Sequence, residues 1–154
     1  MRNPSLITIA FLTLTLATYA EEHEKKIQRA DLPPAVETTV AAQSQGAIIK
    51  GFSEEEENGQ TYYEAEMTVN GHSKDVLIGK DGSIAEIEEQ VAFDSLSAPV
   101  KAGLQAKAGS GKIVKVESLT KHDKVVAFEA KVLTAGKKSE IQVGPDGKPL
   151  DHEE

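Results

Sequence analysis

The 154-residue sequence has no cysteine and no tryptophan, and only 5% of it is aromatic. The missing thiols exclude disulfides, thiolate zinc sites and a lipid-modified amino-terminal cysteine, so an exported domain of this sequence rests on its apolar core alone. Basic charge is also scarce. Against 17 lysines and arginines stand 25 aspartates and glutamates, a net charge of −8. A surface this acidic repels phosphate backbones and anionic lipid, which argues against a nucleic-acid partner. After residue 20 no long apolar run follows, because Glu21-Glu22-His23-Glu24-Lys25-Lys26 begins at once.

Chemistry-bearing patterns are equally sparse. His23, His72, His122 and His152 are scattered, with no His-x-x-x-His or Glu-x-x-His spacing to hold a metal. No nucleophile elbow is present, and no catalytic residue, metal ligand or cofactor is expected. Gly109-Ser110-Gly111-Lys112 imitates the end of a phosphate loop, but Ala106 and Ile113 stand where Gly and Ser or Thr are required. Glu54, Glu56, Asn58 and Gly59 imitate a calcium loop, yet position 65, the place of its bidentate acid, is Ala. A hairpin turn of solvated carboxylates is expected there.

What the sequence does contain starts with an export signal. Met1-Arg2-Asn3 is basic, Leu6 to Leu16 is apolar or Thr, and Thr18-Tyr19-Ala20 supplies small residues before a cleavage site. Residues 1–20 read as a signal peptide, and their removal leaves a net charge of −9. A periplasmic or secreted location without stable membrane insertion is expected. Residues 21–31, charged and without period, read as a flexible lead-in.

The remainder is an internal duplication with an offset of 65. Tyr63-Glu64-Ala65-Glu66-Met67 returns as Phe128-Glu129-Ala130-Lys131-Val132, and Gly79-Lys80-Asp81-Gly82 as Gly144-Pro145-Asp146-Gly147. The alignment runs without a gap from Gly46/Gly111 through Lys50/Lys115 and Ser53/Ser118 to Gly82/Gly147. Repeats over 32–94 and 95–154 are expected. Each has a helix, started near Asp31 or at Ser95 or Ser97 and carrying Leu32, Val36 and Val40 or Leu96, Val100 and Leu104. A first strand and a hairpin with a glycine turn follow. The expected fold class is α+β: two tandem helix-plus-antiparallel-sheet repeats, the sheet covered by helices on one face. Period-two alternation puts Tyr63, Ala65, Met67, Val69, Val76 and Ile78 in the core with Phe128, Ala130, Val132, Ile141 and Val143. Tyr62, Glu64, Glu66 and Asp75, and Ala127, Glu129, Lys131 and Glu140, take the other face.

A helix followed by an aromatic-Glu-Ala strand, a glycine turn and an apolar strand ending in Gly-x-Asp-Gly resembles the PepSY-like family, over about residues 32 to 150. The resemblance implies a fold like that of beta-lactamase inhibitor protein, two tandem helix-plus-sheet units whose strands line up into one larger sheet with an exposed face, and no catalytic role. It also implies a periplasmic or secreted protein partner, a peptidase being the class suggested by related propeptides. Phe52, Tyr62, Glu64, Glu66, Glu129 and Lys131 are the candidate partner-binding residues. An alternative is an acidic cation- or small-ligand-binding periplasmic protein that uses Glu54 to Glu57 and the face carboxylates.

Overall fold

The computed structural model describes residues 24–57, 59–152 and 154. The expected signal peptide and the first residues of the lead-in lie outside them. Strand β1 (Lys25–Ile27) and a 3-10 turn (Arg29–Asp31) lead into helix α1 (Pro34–Gln43). Then come β2 (Ile48–Glu57), β3 (Gln60–Val69), β4 (His72–Gly79) and β5 (Ile84–Gln90). After a second 3-10 turn follow α2 (Ala98–Ala108), β6 (Lys112–Lys121), β7 (Lys124–Thr134) and β8 (Lys137–Val143).

All eight strands form one sheet in the order β1-β2-β3-β4-β5-β6-β7-β8, every neighbouring pair antiparallel. This corrects the expected α+β architecture. The strands of both halves do line up into one sheet, as the resemblance implied, with Ile87–Gln90 of β5 pairing with Glu117–Thr120 of β6, but the fold is dominated by that sheet. Two helices of 10 and 11 residues are minor partners of that sheet. Residues 25–31 are a further correction to the lead-in: Lys25 and Ile27 pair with Glu54 and Phe52, and Arg29 holds Glu37 at 2.7 Å.

Each helix covers its own strip of the apolar face. Leu32, Val36 and Val40 pack with Phe52, Tyr63, Ala65, Met67, Val76 and Ile78. Leu96, Val100 and Leu104 pack with Val116, Ala130, Val132 and Val143, with Phe128 and Ile141 at the margin. Ser97 caps α2 through its hydroxyl. Asp31 does not cap α1; its carboxylate accepts from the Gln28 amide at 3.0 Å inside the preceding turn.

The Asp-Gly turns set the helices onto the sheet. Gly82 has φ +86°, and a Cβ there would meet the Ala35 carbonyl, while its own carbonyl accepts a 2.6 Å bond from the Thr39 hydroxyl. Gly147, at φ +80°, lies against the Pro99 carbonyl in the same way. Only glycine permits both this backbone and this approach.

The gapless offset is also corrected. Ser53 pairs with Glu64 and Glu117 with Glu129, so β2 and β6 correspond at an offset of 64, not 65. The helix residues Leu32/Leu96, Val36/Val100 and Val40/Leu104 share that offset. A register shift between Leu119 and Thr120, opposite Ala127 and Val125, leaves one extra residue in β7 and restores 65 beyond it. A β-bulge thus absorbs a one-residue insertion without turning the core outward. The acidic run is part of β2 through Glu57, paired with Gln60, and not a turn.

Candidate functional site

The face away from the helices carries the polar side chains of six strands. Along β3 these are Tyr62, Glu64 and Glu66; opposite them on β4 lie Leu77 and Asp75, and Glu86 and Glu88 follow on β5. Glu117 and Lys115 continue the face on β6, Glu129 and Lys131 on β7, and Gln142 and Glu140 on β8. Neighbouring strands stand about 4.8 Å apart. The Ser73 hydroxyl of β4 nevertheless donates to Glu117 Oε1 of β6 at 3.1 Å, across the whole of β5. The sheet curls toward this face. The resulting groove holds about 1460 Å³ and is walled by residues from β2 to β8 and by the carboxyl-terminal segment, including His152 and Glu154.

The floor is crowded with acids that share few bases. Burial, with repulsion from Glu129, Glu86 and Glu117, pushes Glu88 up to about 8. Burial, with repulsion from Glu55 and Glu66, raises Glu64 to about 7, although the Ser53 hydroxyl donates to it at 3.0 Å and opposes the shift. Asp75 is raised to about 6 by burial and by Glu64 and Glu117. Glu129, raised chiefly by burial, accepts from the Gln142 amide at 3.1 Å. Each shift has the same origin: charged carboxylates lose water and face one another. Lys121 bridges Glu86 at 3.1 Å and Glu154 at 3.3 Å, tying the chain end across the groove.

Of the six residues expected at a partner surface, five lie on this face. Tyr62 stands half-buried on the groove rim with its hydroxyl on Gln60 Oε1 at 2.9 Å. Glu64 and Glu66 are half-buried, and Lys131 pairs with Glu140 at 3.1 Å. Glu129 lies on the floor, only 8% exposed, so it is not a surface residue. Phe52 is the sixth and is corrected: it pairs with Ala65 and sits in the first core, 9% exposed. Glu117, Glu88 and Lys115 are floor residues that sequence reasoning did not single out. A gapless repeat sets Glu117 against Phe52, a mismatch that the 64-residue offset resolves by matching Phe52 with Val116.

No protein-family model, PepSY-like or other, matches the chain, and no curated protein matches it by sequence. Solved structures do. The fold is shared with a candidate periplasmic protein of Bacteroides eggerthii at a TM-score of 0.62 and 18% identity, over 77% of this chain and 86% of that one. A DUF2874 family protein of Bacteroides ovatus gives 0.59 at 20% identity, over 78% and 85%. A BLIP-like protein of Bacteroides fragilis gives 0.54 at 19% identity, over 75% and 81%. The fold is therefore BLIP-like, as the resemblance implied. No helix among the described residues is long and apolar enough to cross a membrane.

Proposed function

We propose that the chain is an exported, non-catalytic binding module that seats part of a folded envelope protein in the concave face of its sheet. The groove itself carries the reading. Its volume of about 1460 Å³ exceeds the roughly 300 to 1,000 Å³ typical of small-molecule sites. It is walled by both repeats, a shape suited to a convex loop or a helix end. An acidic floor with a half-buried tyrosine on its rim favours a partner segment rich in basic and hydrogen-donating groups. The amino-terminal signal pattern, together with fold neighbours described as periplasmic and BLIP-like, supports an envelope location and a docking role. A peptidase is the partner class that the PepSY resemblance suggests.

The test is differential capture. Residues 21–154 are immobilised and exposed to envelope extract beside a Tyr62→Ala variant of matched melting temperature. A protein retained by the parent and depleted about tenfold by the variant, a loss near 1.4 kcal/mol, is the expected result. Identical retention by both would place the docking surface elsewhere.

A further inference from the structure

We propose that Asp75, Glu88 and Glu117 form a binding site for a hard divalent cation, Ca²⁺ in the first place, at the seam where the two repeats join. The three residues come from β4, β5 and β6, and each offers a carboxylate oxygen within 4.8 Å of the others. Calcium takes oxygen ligands at about 2.3 to 2.6 Å, so oxygens on opposite sides of one ion stand about 4.6 to 5.2 Å apart. Three donors this close fit a single coordination sphere without backbone movement. Groove water would supply the remaining positions. An all-carboxylate set selects a hard ion over zinc or copper, and its irregular spacing suits the flexible shell of Ca²⁺ better than the octahedron of Mg²⁺.

Acid clusters are common without an ion; a second feature sets this one apart. Glu117 is 1% exposed, and its Oε2 is the buried side-chain oxygen that lacks a hydrogen-bond partner among the described residues. Leaving a buried acceptor unsatisfied costs about 1 to 3 kcal/mol, more when it is charged. A cation shared with Asp75 and Glu88 would satisfy it. The surroundings are acidic in excess: Glu64, Glu66, Glu86 and Glu129 all act on Asp75 or Glu88 through their charge. Among the described residues, two lysines pair with Glu117. Lys115 contacts Glu117 Oε1 at 2.5 Å, and Lys131 stands 3.8 Å from Oε2 while holding Glu140 at 3.1 Å. Lys131 thus has another partner to turn to, whereas Lys115 competes directly with an incoming ion. The second acid group, Glu24, Glu64 and Glu66, is more exposed, and Glu64 is already held by Ser53.

Calorimetry and thermal melting of chelator-treated protein at pH 7.5, in moderate salt and without any partner, test the site independently of the docking proposal. CaCl₂ should saturate one site at or below about 1 mM, the range of extracellular calcium modules, and raise the melting temperature; MgCl₂ should bind more weakly. Asp75→Asn and Glu88→Gln should each weaken binding at least about tenfold. Both should fold, since each removes like-charge repulsion. Lys115→Met should tighten binding severalfold by removing the competing ammonium, and Glu64→Gln, which removes a nearby charge but no ligand oxygen, should weaken it less than either ligand variant does. Neither heat nor a melting shift in the parent up to about 10 mM Ca²⁺ would overturn the proposal. So would binding that survives Asp75→Asn and Glu88→Gln, or that falls further in Glu64→Gln than in either of them.

Discussion

Ala135 shows how the two copies settled differently on the same turn. The first hairpin turns at Asn70-Gly71, with φ of 51° and 86°, and the second at Ala135-Gly136, with 49° and 82°. Both are left-handed pairs of the kind a two-residue hairpin needs, and both strands already carry the matching right-handed twist. Asn adopts that region readily; an alanine Cβ meets its carbonyl there at a cost of about 1 to 2 kcal/mol. Ala135→Asn should therefore stabilise the protein by about 0.5 to 1 kcal/mol in urea titration. A loss would mean that the Ala135 methyl contributes packing in this exposed turn. Glycine at 82 and 147 is another matter, since those positions need the bare backbone itself where the helix starts press on the turn.

At the scale of elements, the hairpins and helices were legible because their signals are local. Glycine turns, period-two alternation and the four-residue helix stripe each lie within a dozen residues, and the buried Tyr63, Ala65, Met67, Val76 and Ile78 follow from them. The polar face was legible for the same reason, down to Tyr62, Glu64 and Asp75. What local signals could not fix was the register of β2 and β6. A bulge in β7 carries the inserted residue, and a gapless alignment then pairs Ser53 with Ser118 where the sheet equates it with Glu117. The same slip sets Phe52 against Glu117 where the sheet matches it with Val116, and so hides both the burial of Phe52 and the place of Glu117. The continuity of the sheet was implied by the resemblance and not by any local signal: the β5–β6 seam joins residues about 30 apart, and no turn in the sequence announces it. Phe52→Ala tests the register directly. Truncation of a buried aromatic should cost about 3 to 5 kcal/mol. A loss below about 1 kcal/mol is what a side chain on the open face would give.

For the whole molecule, the central claim is that a curled, continuous sheet gathers the acids of both repeats into one desolvated groove floor. In the folded protein Asp75, Glu64 and Glu88 hold their protons up to about 6, 7 and 8, whereas the unfolded chain releases them near 4 to 4.5. Between those limits the folded state binds more protons, so stability falls as pH rises. The stabilisation is complete below the unfolded values and is lost as pH passes through the folded ones. Glu37, Asp81 and Asp146 are shifted the opposite way by their hydrogen-bond partners, and their stabilisation is lost only below their ordinary range, outside this window. The measurement is urea unfolding at pH 5 and pH 8 in the presence of chelator, at fixed ionic strength. The account predicts a protein more stable at pH 5 by on the order of a few kcal/mol, with an unchanged dependence on urea. Equal stability at the two pH values, or greater stability at pH 8, would contradict it and mean that these carboxylates face open water.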